Sequence, residues 1–172
     1  MSISDIVEDY LNEEGWKCRI VRDNIREAIL SRENCNPQMV WYPDDDDQSL
    51  LITATLLSKI PESKRTDVAV FLNLANYGLK TGNFEMDADD GEVRYRVFID
   101  VEDIVLPKKI VERSTLVAAI MLDRYYPGIM AVCYGNKSPR DAVEEIVTKY
   151  RRNDTESSDA IEDSSDEVEV PV

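Results

Sequence analysis

Residues Asn83–Asp100 read NFEMDADDGEVRYRVFID, and this stretch decides the fold. Asp90-Gly91 can adopt the two positive φ angles of a two-residue turn, so the sequence predicts a β-hairpin folded at that dipeptide. Because side chains alternate across a strand, one face of this hairpin is apolar and faces the core. That face comprises Phe84, Met86, Ala88, Val93, Tyr95 and Val97.

The opposite face of the predicted hairpin carries two ion pairs across the strands, Glu85–Arg96 and Asp87–Arg94. A turn one residue earlier would place Asp87 opposite Glu92. Like charges in that position repel, so the register folded at Asp90-Gly91 is the predicted one.

The chain before the hairpin is predicted to hold one helix and several strands. A helix begins at the serines of Ser2–Asp5 and ends at Gly15. The alternation of Trp16, Cys18 and Ile20 favours a strand, whereas the next apolar segment, residues 25–31, fits a strand or a helix. Strands then follow at residues 39–42 and 50–57, and a helix begins at Pro61.

The chain after the hairpin is predicted to be helical. A long amphipathic helix covers Pro107–Tyr126, and Pro127-Gly128 breaks or kinks it before an apolar helical segment, Ile129–Tyr134. Ser138-Pro139 opens a further helix. The sequence thus predicts an α+β domain over residues 1–150. Residues 151–172 are predicted to be a disordered acidic tail, since Ser, Asp and Glu dominate there.

Charge excludes one class of partner. The chain of 172 residues has a net charge of −15, of which −8 lies beyond Arg152. Both parts would repel phosphate backbones and anionic lipid, so we expect neither nucleic acid nor a membrane as partner.

Two residue types limit the chemistry further. The absence of histidine excludes Ser-His and Cys-His nucleophilic pairs and histidine metal ligands. The three cysteines, Cys18, Cys35 and Cys133, are far apart and indicate neither a disulfide framework nor a thiolate zinc site. We find no signal peptide and no apolar run of about 20 residues, so we expect a cytoplasmic protein.

Two acidic clusters raise the alternatives of a metal site and of a carboxylate enzyme. Asp44–Asp47 lacks the glycine that bends a calcium loop around its ion, and a solvated hairpin tip fits it better. Around Gly91 the calcium-loop ligand positions fall on Met86, Ala88 and Asp90, and two of these three cannot ligate. Glu85, Asp87 and Asp89 could act as general acid and base only in a desolvated pocket, whereas they lie beside arginines on a hairpin, where ion pairing explains them. The sequence therefore predicts no catalytic residue, no metal ligand and no cofactor site.

One apolar segment stands out as a candidate surface for a protein partner. The helix that carries it stays apolar on both sides of Pro127-Gly128, although a core role explains the same pattern. The candidate residues are Tyr125, Tyr126, Ile129, Met130 and Tyr134.

Over half of the chain resembles the YbjN family, and its cyanobacterial members especially. The blocks that carry the resemblance are Ile60–Arg65, Leu74–Leu79, Gly82–Asp87, Asp90–Tyr95, Ile99–Glu102 and Met121–Met130. The resemblance implies a fold like that of type III secretion chaperones, with a curved antiparallel sheet packed against helices. It also implies a homodimer and a surface for extended peptides, and it brings no catalytic motif.

The leading hypothesis is therefore a non-enzymatic, chaperone-like or regulatory protein that binds an unidentified protein partner. Weak binding of divalent cations by acidic loops is the alternative, and a carboxylate enzyme is the third hypothesis.

Overall fold

The computed structural model describes the backbone of residues 1–162 and the side chains of residues 1–151. Its elements are α1 (Ile3–Glu13), β1 (Arg19–Arg22), β2 (Ile25–Ile29), β3 (Gln38–Asp44), β4 (Ser49–Thr55), α2 (Arg65–Tyr77), β5 (Asn83–Met86), β6 (Val93–Asp100), α3 (Lys108–Tyr134) and α4 (Pro139–Glu162). A 3-10 turn, Glu62–Lys64, leads into α2 directly after Pro61.

The strands form one six-stranded antiparallel sheet in the order β1-β2-β3-β4-β6-β5. Each strand pairs with a neighbour in sequence except at the β4–β6 ladder, which spans α2 and β5. Helices pack against the sheet, so the predicted α+β class with an antiparallel sheet is confirmed. The ambiguous segment after residue 24 is strand β2.

One face of the sheet and the helices enclose the core. Trp41 on β3 is fully buried, and its indole N–H donates to the Thr115 hydroxyl of α3 at 2.9 Å. Phe84 packs edge-on against Tyr95 and against Tyr125 of α3, with ring centroids 4.8 and 5.3 Å apart. These contacts place α3 across the middle and the β5 end of the sheet.

The central hairpin forms, but its register differs by two residues from the prediction. Phe84 pairs with Tyr95 and Glu85 with Arg94, whereas the two-residue turn required Val97 and Arg96 at those places. Because a shift of two preserves the alternation of side chains, the core face is unchanged for the paired residues. Ala88 is the exception, since it lies exposed in the loop.

Hydrogen bonds within the loop and from Arg65 outside the hairpin explain the longer loop. The carboxylates of Asp87 and Asp90 accept the backbone N–H groups of Asp89 and Glu92, each at 2.8 Å. The Arg65 guanidinium donates to the carbonyls of residues 88 and 89, at 3.1 and 3.0 Å. These bonds outweigh the repulsion that disfavoured Asp87 opposite Glu92, because Asp87 is exposed and Glu92 only half-buried, so water screens the two charges.

Pro127 does not break the helix. α3 continues from Lys108 to Tyr134, so the predicted break at Pro127-Gly128 is wrong, while the kink given as its alternative stays a prediction. The ring of Pro127 is exposed, whereas Gly128 and Ile129 are buried, and packing of that side holds the helix together across the missing N–H.

The first part of the segment that was predicted to be a disordered tail is helical. α4 begins at Pro139 behind the Ser138 cap and continues to Glu162, twelve residues into the segment predicted to be disordered from residue 151. An established helix propagates at little cost per residue, which explains the extension. Residues 163–172 lie outside the described residues, so disorder there and the domain boundary at residue 150 stay predictions.

Candidate functional site

The sheet face turned away from the helices is the candidate site, and we call it the open face. Its members are alternate residues of β2, β3, β4 and β6: Glu27, Ile29, Val40, Tyr42, Leu51, Thr53, Arg94, Arg96 and Phe98. Val40 and Thr53 are buried among their neighbours on this face, at 6% and 1% exposure. Each of these strands turns its other residues toward the core, as the alternation of a strand requires.

An apolar row crosses the open face. Tyr42, Leu51 and Phe98 are directly paired on β3, β4 and β6. Ile25 of β2 extends the row, because the residue after it, Arg26, pairs with Trp41, the residue before Tyr42. The Phe98 residue is 57% exposed, while Tyr42 and Leu51 are half-buried. Large apolar side chains aligned on an uncovered sheet face indicate a surface that can bury more area against a partner.

Charges lie on both sides of the apolar row. Beyond it toward the β3–β4 turn, Asp44 and Asp100 flank Ser49 in the last paired positions. On the other side, Glu85 of β5 accepts hydrogen bonds from Arg94 and Arg96, at 2.9 and 3.0 Å. One edge of the row is therefore acidic, and the other is an ion-pair network.

The carboxylates of the hairpin do not have the environment of catalytic groups. Burial acts to raise the pKa of Glu85, but the hydrogen bonds from Arg94 and Arg96 outweigh it and hold that pKa below its ordinary value. A shallow cavity borders Glu85 and Asp87, yet a carboxylate with a lowered pKa is a poor proton donor at neutral pH. Asp89 is exposed in the loop.

The acidic tip between β3 and β4 has a structural role that the sequence did not predict. The Asp45 carboxylate accepts the N–H groups of Ile3 and Ser4, at 2.6 and 3.2 Å, and so caps the N-terminus of α1. Asp44 accepts the N–H groups of Asp46 and Asp47, at 3.1 and 2.9 Å. Among the described residues no three His, Cys, Asp or Glu side chains are placed to hold a metal ion.

The predicted partner surface on α3 is divided between the core and the exterior. Tyr125 is 6% exposed and Ile129 is fully buried, so neither can line a surface. Tyr126 and Met130 are half-buried, and Tyr134 is 68% exposed. Partner binding by these three residues stays a prediction.

A buried carboxylate on α3 holds the loop between β2 and β3. Asp123 accepts the N–H groups of Asn34 and Cys35, at 2.8 and 3.0 Å. Burial, and then the negative charge of Asp123, raise the pKa of the Cys35 thiol to about 12. The signal in the sequence is one acid within the apolar stripe of a helix, although its partners lie about 90 residues away.

α3 is also the helix in the described part of the chain that is long and apolar enough to cross a membrane. Half of its most apolar stretch is buried against the rest of the protein, as in the core helix of a globular domain.

Comparison with known proteins assigns the fold. Residues 4–130 match the model of the YbjN family, whose description is "Putative bacterial sensory transduction regulator". The crystal structure of YbjN from E. coli is similar, with a TM-score of 0.50 at 12% identity, and the match covers 79% of this chain and 95% of that one.

Other solved structures match at lower scores. An uncharacterized protein from Methanothermobacter thermautotrophicus has a TM-score of 0.45 at 16% identity, over 69% of this chain and 92% of that one. A chain of the HopA1-SchA chaperone–effector complex has a TM-score of 0.45 at 18% identity, over 70% and 88% of the two chains. No curated protein sequence matches the chain. The family match covers well over half of the sequence, and the chain belongs to the YbjN family.

Proposed function

We propose that the protein is a non-enzymatic regulatory module that binds another protein, and that the partner docks on the open face of its sheet. The observation that carries the proposal is the apolar row of half-buried Tyr42 and Leu51 and exposed Phe98, on a face that no described helix covers. Burying such a row supplies most of the favourable free energy of an interface.

The charges around the row define the partner. Asp44 and Asp100 border it on one side, and the whole chain carries a net charge of −15. A partner segment with apolar side chains followed by Lys or Arg would match both the row and its acidic edge. The occupant that we propose is such an extended, basic-flanked segment of a different protein.

Site-specific photocrosslinking tests this proposal. A benzophenone amino acid is placed at Phe98 and, as the control, at Leu116, which is 41% exposed on α3. Exposed to native cell extract, the Phe98 version is expected to form an adduct that the Leu116 version lacks. Mass spectrometry of the adduct should identify an apolar segment beside Lys or Arg.

The outcomes separate the occupants of this face. An adduct between two copies of the chain would make the open face a homodimer interface and would overturn docking of a different protein there. Equal adducts at both positions, or none at Phe98, would also overturn the proposal. Phe98→Asp should abolish the adduct formed by a probe at Tyr42, whereas Leu116→Asp should leave it unchanged.

We also propose a cellular location, a role for the C-terminal segment and a branch of the family. We place the protein in the cytoplasm and among the cyanobacterial-type members of the family, with residues 151–172 as an appendage outside the domain. The three cysteines, which form no disulfide, suit a reducing compartment.

A further inference from the structure

A cavity lies between α3 and α4, on the helical side of the molecule and away from the open face. Its volume is about 150 Å³, and its floor is apolar, formed by Gly128, Ala131 and Ile146 among others. A dry cavity of about this size can hold one benzene ring, so an aromatic or short aliphatic body would fit.

Positive charge collects at the rim of this cavity. The lining residues include three cations, Arg124, Lys137 and Lys149, and one carboxylate, Glu145, which pairs with Lys137. Two positive charges therefore remain at this cavity, on a chain whose net charge is −15. In such a chain a local cationic excess points to an anionic ligand.

The Arg124 side chain is held against an aromatic ring and carries a hydrogen-bond donor without a partner. Its guanidinium carbon lies 3.9 Å from the centroid of the Tyr150 ring, which holds the side chain in place. Its Nε is buried, and among the described residues it has no hydrogen-bond partner. A buried donor without a partner costs free energy, and because this Nε has almost no accessible surface, a ligand oxygen reaches it only after the side chain shifts toward the cavity.

Lys149 stands beside the same ring. Its Nζ lies 5.7 Å from the ring centroid of Tyr150, and it forms no salt bridge with the described residues. Its charge is available to a ligand in the cavity, so two cations and an apolar floor converge on one small volume.

We propose that this cavity binds a small organic anion, namely a carboxylate or phosphate monoester on an apolar body of about one ring. The anionic group bonds to Arg124 and Lys149, and the body lies on Gly128, Ala131 and Ile146. This site is independent of the proposed docking of a protein on the open face.

Calorimetric titration of the full chain tests the proposal with four probes. Phenyl phosphate and benzoate carry both the ring and the charge, inorganic phosphate carries only the charge, and benzyl alcohol carries only the ring. We expect one saturable site for the first two, with affinities at least about tenfold higher than for the last two. Affinity should fall as salt is added.

A matched pair of variants and one cavity-filling variant locate the site. Arg124→Met removes the charge and the Nε donor and keeps the length of the side chain, and it should weaken phenyl phosphate binding at least about tenfold. Arg113→Met removes an exposed arginine of the same helix and should leave the affinity unchanged. Ala131→Leu fills the cavity and should abolish binding of the ring-bearing probes.

Three results would overturn the proposal. They are no saturable binding of either ring-bearing anion at millimolar concentration, equal affinities in the Arg124→Met and Arg113→Met proteins, and equal affinities for benzyl alcohol and phenyl phosphate. Circular dichroism confirms the fold of each variant. If Arg124→Met unfolds the chain, Lys149→Met serves in its place, because Lys149 is exposed and contributes little to the core.

Discussion

At the scale of the residue, Asp123 shows how a single side chain can organise a distant loop. Its carboxylate lies within the apolar side of α3 and holds the backbone of Asn34 and Cys35. Hydrogen bonds to a charged acceptor stabilise more than neutral ones, and this acceptor is desolvated. The sequence could not reveal the contact, because nothing local in a helix indicates which loop its acid will reach.

The Cys35 thiol gives a prediction about alkaline pH. Its pKa is about 12 in the folded protein and near 9.0 in the unfolded chain. A group with a raised pKa contributes stability that is complete below the unfolded pKa and is lost as the pH rises from there toward the folded pKa. The free energy of unfolding should therefore fall with pH in this window, by at most about 2 kcal/mol at pH about 10.5.

Urea denaturation of wild type and of Cys35→Ala at pH about 8 and about 10.5 isolates this effect, since other alkaline groups titrate in both proteins. The loss between the two pH values should be larger in wild type. Equal losses would contradict the assignment of the raised pKa to this thiol.

At the scale of the element, the loop of the central hairpin is fastened to the segment before α2. The Ile60 N–H donates to the Gly91 carbonyl at 2.8 Å, and Gly91 has a φ of +80°. A Cβ at this position would overlap the carbonyl oxygen of Ile60. The loop therefore needs glycine for space as well as for its backbone conformation.

Two glycine substitutions separate these requirements. Gly15 has a φ of +70° with open space around it, so Gly15→Ala measures only the cost of a left-handed alanine, about 1 kcal/mol. Gly91→Ala adds the overlap and should lower the free energy of unfolding by at least about 1 kcal/mol more. Urea denaturation of both variants gives the two losses in free energy of unfolding. Equal losses would show that the loop can move away from Ile60.

The hairpin also shows what sequence reasoning could reach among the elements. The alternation in Phe84–Met86 and Val93–Val97 predicted both strands and the buried face, because alternation depends only on the local backbone. The register was wrong by two residues, since it depends on Arg65 and Ile60, which lie outside the hairpin. The break at Pro127 was wrong for a similar reason, because tertiary packing overrides local propensity.

For the candidate sites too, the sequence indicated local properties but not the contacts made by the folded chain. The sequence showed that Tyr125–Tyr134 is apolar. Which of its side chains lie in the core and which on the surface depends on what packs against α3. The apolar row of the open face was not predicted as a site, although Tyr42, Leu51 and Phe98 were visible in the strands. Pairing of three strands brings them together, and only the sheet order reveals that.

At the scale of the whole molecule, charge is the dominant property. A net charge of −15 on 172 residues disfavours the compact state through self-repulsion. Raising NaCl from about 0.02 M to about 0.2 M shortens the screening length and should raise the melting temperature.

A neutralised tail provides the control for this salt effect. Replacing the eight acids beyond Arg152 by their amides leaves a net charge of −7 and keeps the chain length. The salt-induced rise in melting temperature, followed by circular dichroism, should then be smaller. An equal rise in both proteins would mean that the tail does not contribute to the repulsion.

The sheet order divides the molecule along a seam. α1 and β1–β4 form one piece continuous in sequence, and α2 through α4 form the other, with β4 and β6 meeting between them. The polar connection at Ser58-Lys59 lies at their boundary and is exposed.

We expect two fragments separated at this connection to recombine into a complex with the sheet of the intact chain. Native mass spectrometry of the mixed fragments should detect a one-to-one complex, and fragments that stay apart would contradict the division. The domain thus offers a natural site for a split reporter, whose halves regain their structure only when both are present.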